Sequence, residues 1–148
     1  MGTSRRADEV GLHYLTTSAQ VRRAVDEHLA RSGLSLSRTK ILQVLARRGP
    51  VKQAQLAAEL GLAARSITQA VEGMERDGLV RRSPDAGDRR AKVVTATEEG
   101  TRALAAGESA GGEILRRIFH RLGRDRLADL AETLALIDVT TAQATRLK

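Results

Sequence analysis

The sequence predicts a mainly α fold carrying one small β-hairpin. Three observations lead there. Apolar residues recur at three- and four-residue spacing through most of the 148 residues, which is the period of an amphipathic helix. One stretch, residues 79–95, reads instead as two short strands around the turn-forming run Pro84-Asp85-Ala86-Gly87-Asp88. Aromatic residues are nearly absent, Tyr14 and Phe119 alone, so the core must be built from Leu, Val, Ile and Ala, which suits packed helices.

Residues 1–7 are polar and expected to fray. A helix is predicted from Asp8 to about Arg31, with Val21, Val25 and Leu29 as its apolar stripe and Leu12 and Leu15 extending it upstream. Ser32-Gly33 ends it. Ser35 or Ser37 can cap the next helix, which carries Ile41, Leu42 and Leu45 and ends at Arg47-Arg48 before Gly49-Pro50. The run QAQLAAEL then sets Leu56, Ala57 and Leu60 on one side, and Gly61 breaks it. The helix that follows carries Ile67, Val71 and Met74 at i, i+4 and i+7 and stops at Gly78. Two short helices around a tight glycine turn make a helix-turn-helix. The strands 79–83 and 91–95 add a hairpin with Arg89 and Arg90 near its tip, so the whole reads as a winged helix.

Thr97 can cap the helix from Glu98 to about Leu122, with Glu98 and Glu99 in its first turn. Its middle, AAGESAGGE, is weak, and a kink or a close helix–helix approach is expected near Gly111-Gly112. Gly123 precedes a last helix, Arg124 to about Leu147. Leu127, Leu130, Leu134, Ile137 and Thr141 alternate there at spacings of three and four, a heptad-like seam. A thin apolar seam on a terminal helix, with no spare core to cover it, suggests a partner helix. The competing reading is packing within its own chain.

Composition narrows the function. No run approaches 18 apolar residues, so nothing is expected to span a membrane. The N-terminus lacks the apolar stretch of a signal peptide, which gives cytoplasmic as the expected location. The absence of cysteine excludes disulfides, thiolate zinc sites and cysteine redox switches. His13, His28 and His120 lie far apart in the sequence and show no metal-ligand spacing. No nucleophile elbow, phosphate-binding loop or dinucleotide fingerprint is present. No catalytic residue, metal or cofactor is therefore expected, and an enzyme is the least supported class. The net charge is +7. Residues 31–97 hold 13 Lys and Arg against 6 Asp and Glu, while the rest of the chain holds 12 against 12. The whole imbalance thus falls on the winged helix, as expected for a surface that meets phosphates.

The stretch LVRRSPDAGDRRAKVVTATEEG resembles the wing signature of MarR-type transcriptional regulators: Asp88-Arg89-Arg90, the strand after it, and Thr97 and Gly100 at the spacing of that motif. The flanking helices fit the same family over roughly residues 8–146. Three features depart from its pattern, namely Lys52 at a position where Ser or Thr usually caps a helix, Ala96 where Leu is usual, and the glycines at 107, 111 and 112. The resemblance implies a DNA-binding domain at residues 34–97, a dimerisation region of helices at 8–33 and 98–147, and a homodimer that binds double-stranded DNA.

The candidate site residues follow. With Ile67, Val71 and Met74 facing inward, Arg65, Ser66, Thr68 and Gln69 face outward on the helix that would enter the major groove. Arg65 suits guanine, Gln69 suits adenine, and Thr68 suits a thymine methyl or a phosphate. By resemblance, one of Arg89 and Arg90 enters the minor groove, while Asp88 braces the wing by pairing with the other or with backbone amides. Arg38, Lys52 and Gln53 are candidates for phosphate contacts at helix N-termini. Leu127, Leu130, Leu134 and Ile137 would form the dimer seam. The family also implies a pocket for a small aromatic or phenolic effector, for which His13, Tyr14, Arg22 and Lys40 are the polar candidates. For each of these residues the competing reading is solvated surface. For the whole chain the alternatives are a non-specific architectural DNA-binding protein and a winged helix that binds protein instead. A differentiated recognition helix disfavours the first, and the retained wing arginines disfavour the second.

Overall fold

The computed structural model describes residues 6–146. Residues 1–5, expected to fray, and Leu147, the expected end of the last helix, lie outside the described residues. In chain order the elements are α1 (Ala7–Leu29), α2 (Leu36–Arg48), β1 (Val51–Lys52), α3 (Gln53–Leu60), α4 (Ala64–Arg76), β2 (Val80–Pro84), β3 (Lys92–Ala96), α5 (Glu98–Phe119) and α6 (Gly123–Arg146). Short 3-10 turns follow α1 and α5. The predicted mainly α fold with a small hairpin is what forms, and the domain is a winged helix.

Each boundary has a local cause. Ser35, rather than Ser37, caps α2, its Oγ accepting the Arg38 amide at 3.2 Å. Asp26 of α1 reaches the same corner and accepts the Leu36 amide at 2.7 Å. Gly61 closes α3 at φ 64°, a conformation a side chain would oppose, and α4 starts three residues later. Thr97 does two jobs: its Oγ1 accepts the Gly100 amide at 3.0 Å and donates to the Gly78 carbonyl at 2.6 Å. Gly100 has to be glycine, because an added Cβ would stand 2.0 Å from the Leu79 carbonyl oxygen.

Two expectations need adjustment. Periodicity predicts two strands, whereas the sheet has three in the order β1-β3-β2, all antiparallel. Val51 pairs with Val94 and Lys52 with Val93, which anchors the start of α3 to the wing. Two residues are too few to show any periodicity. The second adjustment concerns α5, which is one uninterrupted helix through Gly107, Gly111 and Gly112. The close helix–helix approach expected near Gly111-Gly112 is not what is found: the tightest packing is at Gly107, against Leu34 in the connection between α1 and α2. A Cβ there would meet Leu34 Cδ1 at 2.6 Å, while at Gly111 it would find only ordinary contact with Leu29.

The chain divides into two compact units, residues 1–112 and 113–148. The larger unit holds the core: Val25 and Leu29 of α1, Ile41, Leu42 and Leu45 of α2, Leu56 of α3, Ile67, Val71 and Met74 of α4, Val80 and Val94 of the sheet, and Leu104 of α5. The apolar stripes predicted on α2 and α4 are thus the buried ones. In the smaller unit no described residue of α6 is buried. Leu130, Leu134 and Ile137 are half-covered, and Leu127, Leu136 and Val139 are exposed.

Candidate nucleic-acid interface

The predicted recognition helix, α4, buries Ile67, Val71 and Met74 and turns Arg65, Ser66 and Gln69 outward, with Thr68 half-buried. Its first turn faces the wing. Lys52, Gln53, Ala64, Thr68, Arg90 and Lys92 line one cleft of about 230 Å³, between the N-terminal ends of α3 and α4 and the loop end of the wing. Residues far apart in sequence, 52–53, 64–68 and 90–92, are therefore neighbours. The concave surface they share carries three cationic side chains. Two helix N-termini open onto the same side, and their unpaired amides favour an anion.

Hydrogen bonds hold this arrangement. Gln53 Nε2 donates to Thr68 Oγ1 at 2.9 Å, and Thr68 Oγ1 donates to the Ala64 carbonyl at 2.9 Å. Gln53 Oε1 is buried without a hydrogen-bond partner among the described residues. The amide of Gln53 thus braces α3 against α4 while lining the cleft. Lys52 makes no side-chain cap for α3; its ammonium pairs instead with Asp85 in the wing turn at 3.6 Å.

The wing loop is organised by two carboxylates. Asp85 accepts the amides of Gly87 and Asp88 at 3.3 and 3.1 Å, and Asp88 accepts the Arg90 amide at 3.0 Å. Asp88 therefore braces backbone, one of the two options expected for it. Asp85 is the residue that sequence reasoning missed. Its signal was present, since Asp two residues before Gly in a turn commonly bonds its own downstream backbone. At the base of the wing, Glu75 of α4 accepts the Arg82 backbone amide at 3.0 Å and the Arg82 guanidinium at 3.1 Å. The hydrogen bonds from Arg82, side chain first and backbone second, hold the Glu75 carboxyl below its ordinary range.

Pairing sorts the cations. Among the described residues, Arg38 pairs with Asp77, Arg47 and Arg48 with Glu59, Lys52 with Asp85, and Arg82 with Glu72 and Glu75. Of the 13 basic residues of segment 31–97 these five are neutralised locally, which leaves eight. Arg65, Arg89, Arg90 and Lys92 are among the eight, all exposed, and they sit on the recognition helix and the wing. The effector candidates stand differently. His13 and Tyr14 lie on outer turns of α1 that are exposed throughout. Arg22 is exposed further along α1, and Lys40 is exposed on α2.

Residues 34–92 match the family model described as MarR family. Solved structures resemble the chain over nearly its full length. A transcriptional regulator (MarR family) from Rhodococcus sp. RHA1 is 27% identical, with 91% of this chain and 96% of that one covered at a TM-score of 0.75. CouR from Rhodococcus jostii RHA1, bound to p-coumaroyl-CoA, is 26% identical over 91% of this chain and 95% of its own, with a TM-score of 0.72. A cysteine mutant of MarR from E. coli complexed with operator DNA shares the fold at 18% identity, covering 87% of this chain and 93% of that one with a TM-score of 0.75.

Proposed function

We propose that the chain is a transcriptional regulator of the MarR family, whose model residues 34–92 match, and that it is a homodimeric, sequence-specific DNA-binding repressor of pseudo-palindromic operators. The observation that carries this reading is the convergence of the start of α3, the start of α4 and the wing on one cationic cleft. Arg65 and Gln69 read base edges in the major groove, with Ser66 and Thr68 beside them. Arg89 and Arg90 serve the adjacent minor groove, where narrow width concentrates negative potential. Two copies related by a two-fold axis place two recognition helices on half-sites about one helical turn apart.

Residues 34–97 form the DNA-binding domain in this reading, and the helices at 8–33 and 98–147 join the two subunits. Support for the dimer lies in apolar side chains left in solvent. Val10, Leu12 and Leu15 on α1 are exposed by 51%, 65% and 61%, and Leu136 and Val139 on α6 by 65% and 55%. Such bands on two long helices are costly for an isolated chain. Release from DNA is assigned to a small aromatic or phenolic effector. Support for that class comes from CouR, a relative bound to p-coumaroyl-CoA. A cytoplasmic location fits a DNA-bound regulator, and no described helix is long and apolar enough to cross a membrane.

The wing provides the test. Arg89→Ala with Arg90→Ala is expected to weaken binding to a duplex selected from a random pool. It is also expected to reduce the slope of log affinity against log salt by about 0.9 for each phosphate the variant no longer neutralises. Fluorescence anisotropy over a salt series measures both. Circular dichroism should stay unchanged, because neither side chain makes a packing contact that the fold needs. Unchanged affinity and slope would remove the wing from the interface.

A further inference from the structure

We infer that Arg38 is a positioning residue of the recognition helix: it clamps the C-terminal end of α4 to the corner where α1 meets α2, and does not itself contact DNA. This rests on the DNA-binding reading and assigns a residue that acts behind the surface. Arg38 Nη1 donates to Asp77 Oδ2 at 2.7 Å and to the Gly33 carbonyl at 3.1 Å. Asp77 is the C-cap of α4, and Gly33 ends the 3-10 turn after α1. One guanidinium thus joins two points 44 residues apart in sequence.

A second observation supports the same seat. Gly73 is buried in the last turn of α4, although glycine is an unfavourable helix residue. A Cβ added there would stand 3.1 Å from Arg38 Nη2. The guanidinium packs closely on Gly73, and a side chain there would push it back by a few tenths of an ångström. The Arg38 side chain is only 25% exposed, unlike the solvent-facing Arg65, Arg89 and Arg90. The corner it springs from is itself fixed, by Ser35 on the Arg38 amide and Asp26 on the Leu36 amide. At the other end of α4, Gln53 holds Thr68. A helix tied near both ends presents Arg65 and Gln69 at one angle; both clamp bonds leave Nη1, while Nη2 packs against Gly73.

A double-mutant cycle on the full chain tests the clamp, with a duplex selected from a random pool as the probe. Arg38→Ala and Asp77→Ala are each expected to weaken binding by roughly tenfold, in the range of coupled neighbours, and the double variant to be no weaker than the worse single. The salt slope should stay at the wild-type value. Removing the Asp77 carboxylate alone favours DNA electrostatically, so a weaker affinity in that variant runs against the charge trend. Additive effects would overturn the clamp. So would a slope reduced by about 0.9 in Arg38→Ala with Asp77→Ala neutral or tighter, which would make Arg38 a phosphate contact.

Amide exchange on the free protein gives a readout independent of DNA. Residues 73–77 should lose protection in both single variants, while Leu42 and Val94 in the core keep theirs. Unchanged protection at 73–77 would overturn the clamp, whatever the affinities. A wild-type protein that selects no duplex would instead overturn the DNA-binding reading and, with it, the positioning role.

Discussion

At the scale of the residue, Glu75 ties the recognition helix to the wing through Arg82, and its depressed pKa has a consequence for stability. A carboxyl held below its unfolded value stabilises the fold above that value, and the contribution disappears as pH falls through the folded value. Glu75→Gln should therefore lower the melting temperature at neutral pH, with the gap to wild type closing as the solution is acidified below the carboxylate range. Melting curves at several pH values measure it, and a gap independent of pH would contradict the assignment. Gly100 makes a steric case. With the Leu79 oxygen 2.0 Å from any added Cβ, Gly100→Ala should destabilise by about 1–3 kcal/mol, as overpacking does. Denaturant titration checks it; a neutral result would mean that α5 can back away. Residue types were legible in the sequence, partners less so. The pattern of Ile67, Val71 and Met74 alone pointed Arg65 and Gln69 outward. That Lys52 reaches Asp85 and Arg38 reaches Asp77 depends on chain-distant neighbours, which spacing does not encode.

At the scale of the element, the helices were readable because each carries its own period and punctuation. Gly61 and Gly78 end α3 and α4 where expected, and Thr97 starts α5. β1 was not readable, since two residues carry no period and their strand character comes entirely from pairing with β3. In α5 the glycines were legible as an anomaly. Their reason, the side chains of Leu34 and Leu29 lying against Gly107, belongs to tertiary packing. The seam on α6 was visible as a pattern, but Leu136 and Val139, exposed beside it, were not singled out. An apolar surface wider than one stripe makes the dimer reading sharper. Leu130→Glu with Leu134→Glu should convert the proposed dimer to a monomer in analytical ultracentrifugation at micromolar concentration, with helicity in unit 1–112 retained. A dimeric mass in the double variant would place the subunit contact elsewhere.

At the scale of the whole molecule, charge and fold agree. The net excess of seven cations lies within residues 31–97, and ion pairs then engage five of its basic residues; Arg65, Arg89, Arg90 and Lys92 are among the eight left, with Arg90 and Lys92 lining one cleft. A purely architectural DNA binder needs the charge but not the differentiated face of α4, so the two readings separate on specificity and not on affinity. The most direct measurement is competition between DNA from upstream of the protein's own coding sequence and a scrambled duplex of equal composition, followed by anisotropy at physiological salt. Sequence-specific regulation predicts a preference of about 10³-fold or more for the upstream duplex. Equal binding to both would contradict the account.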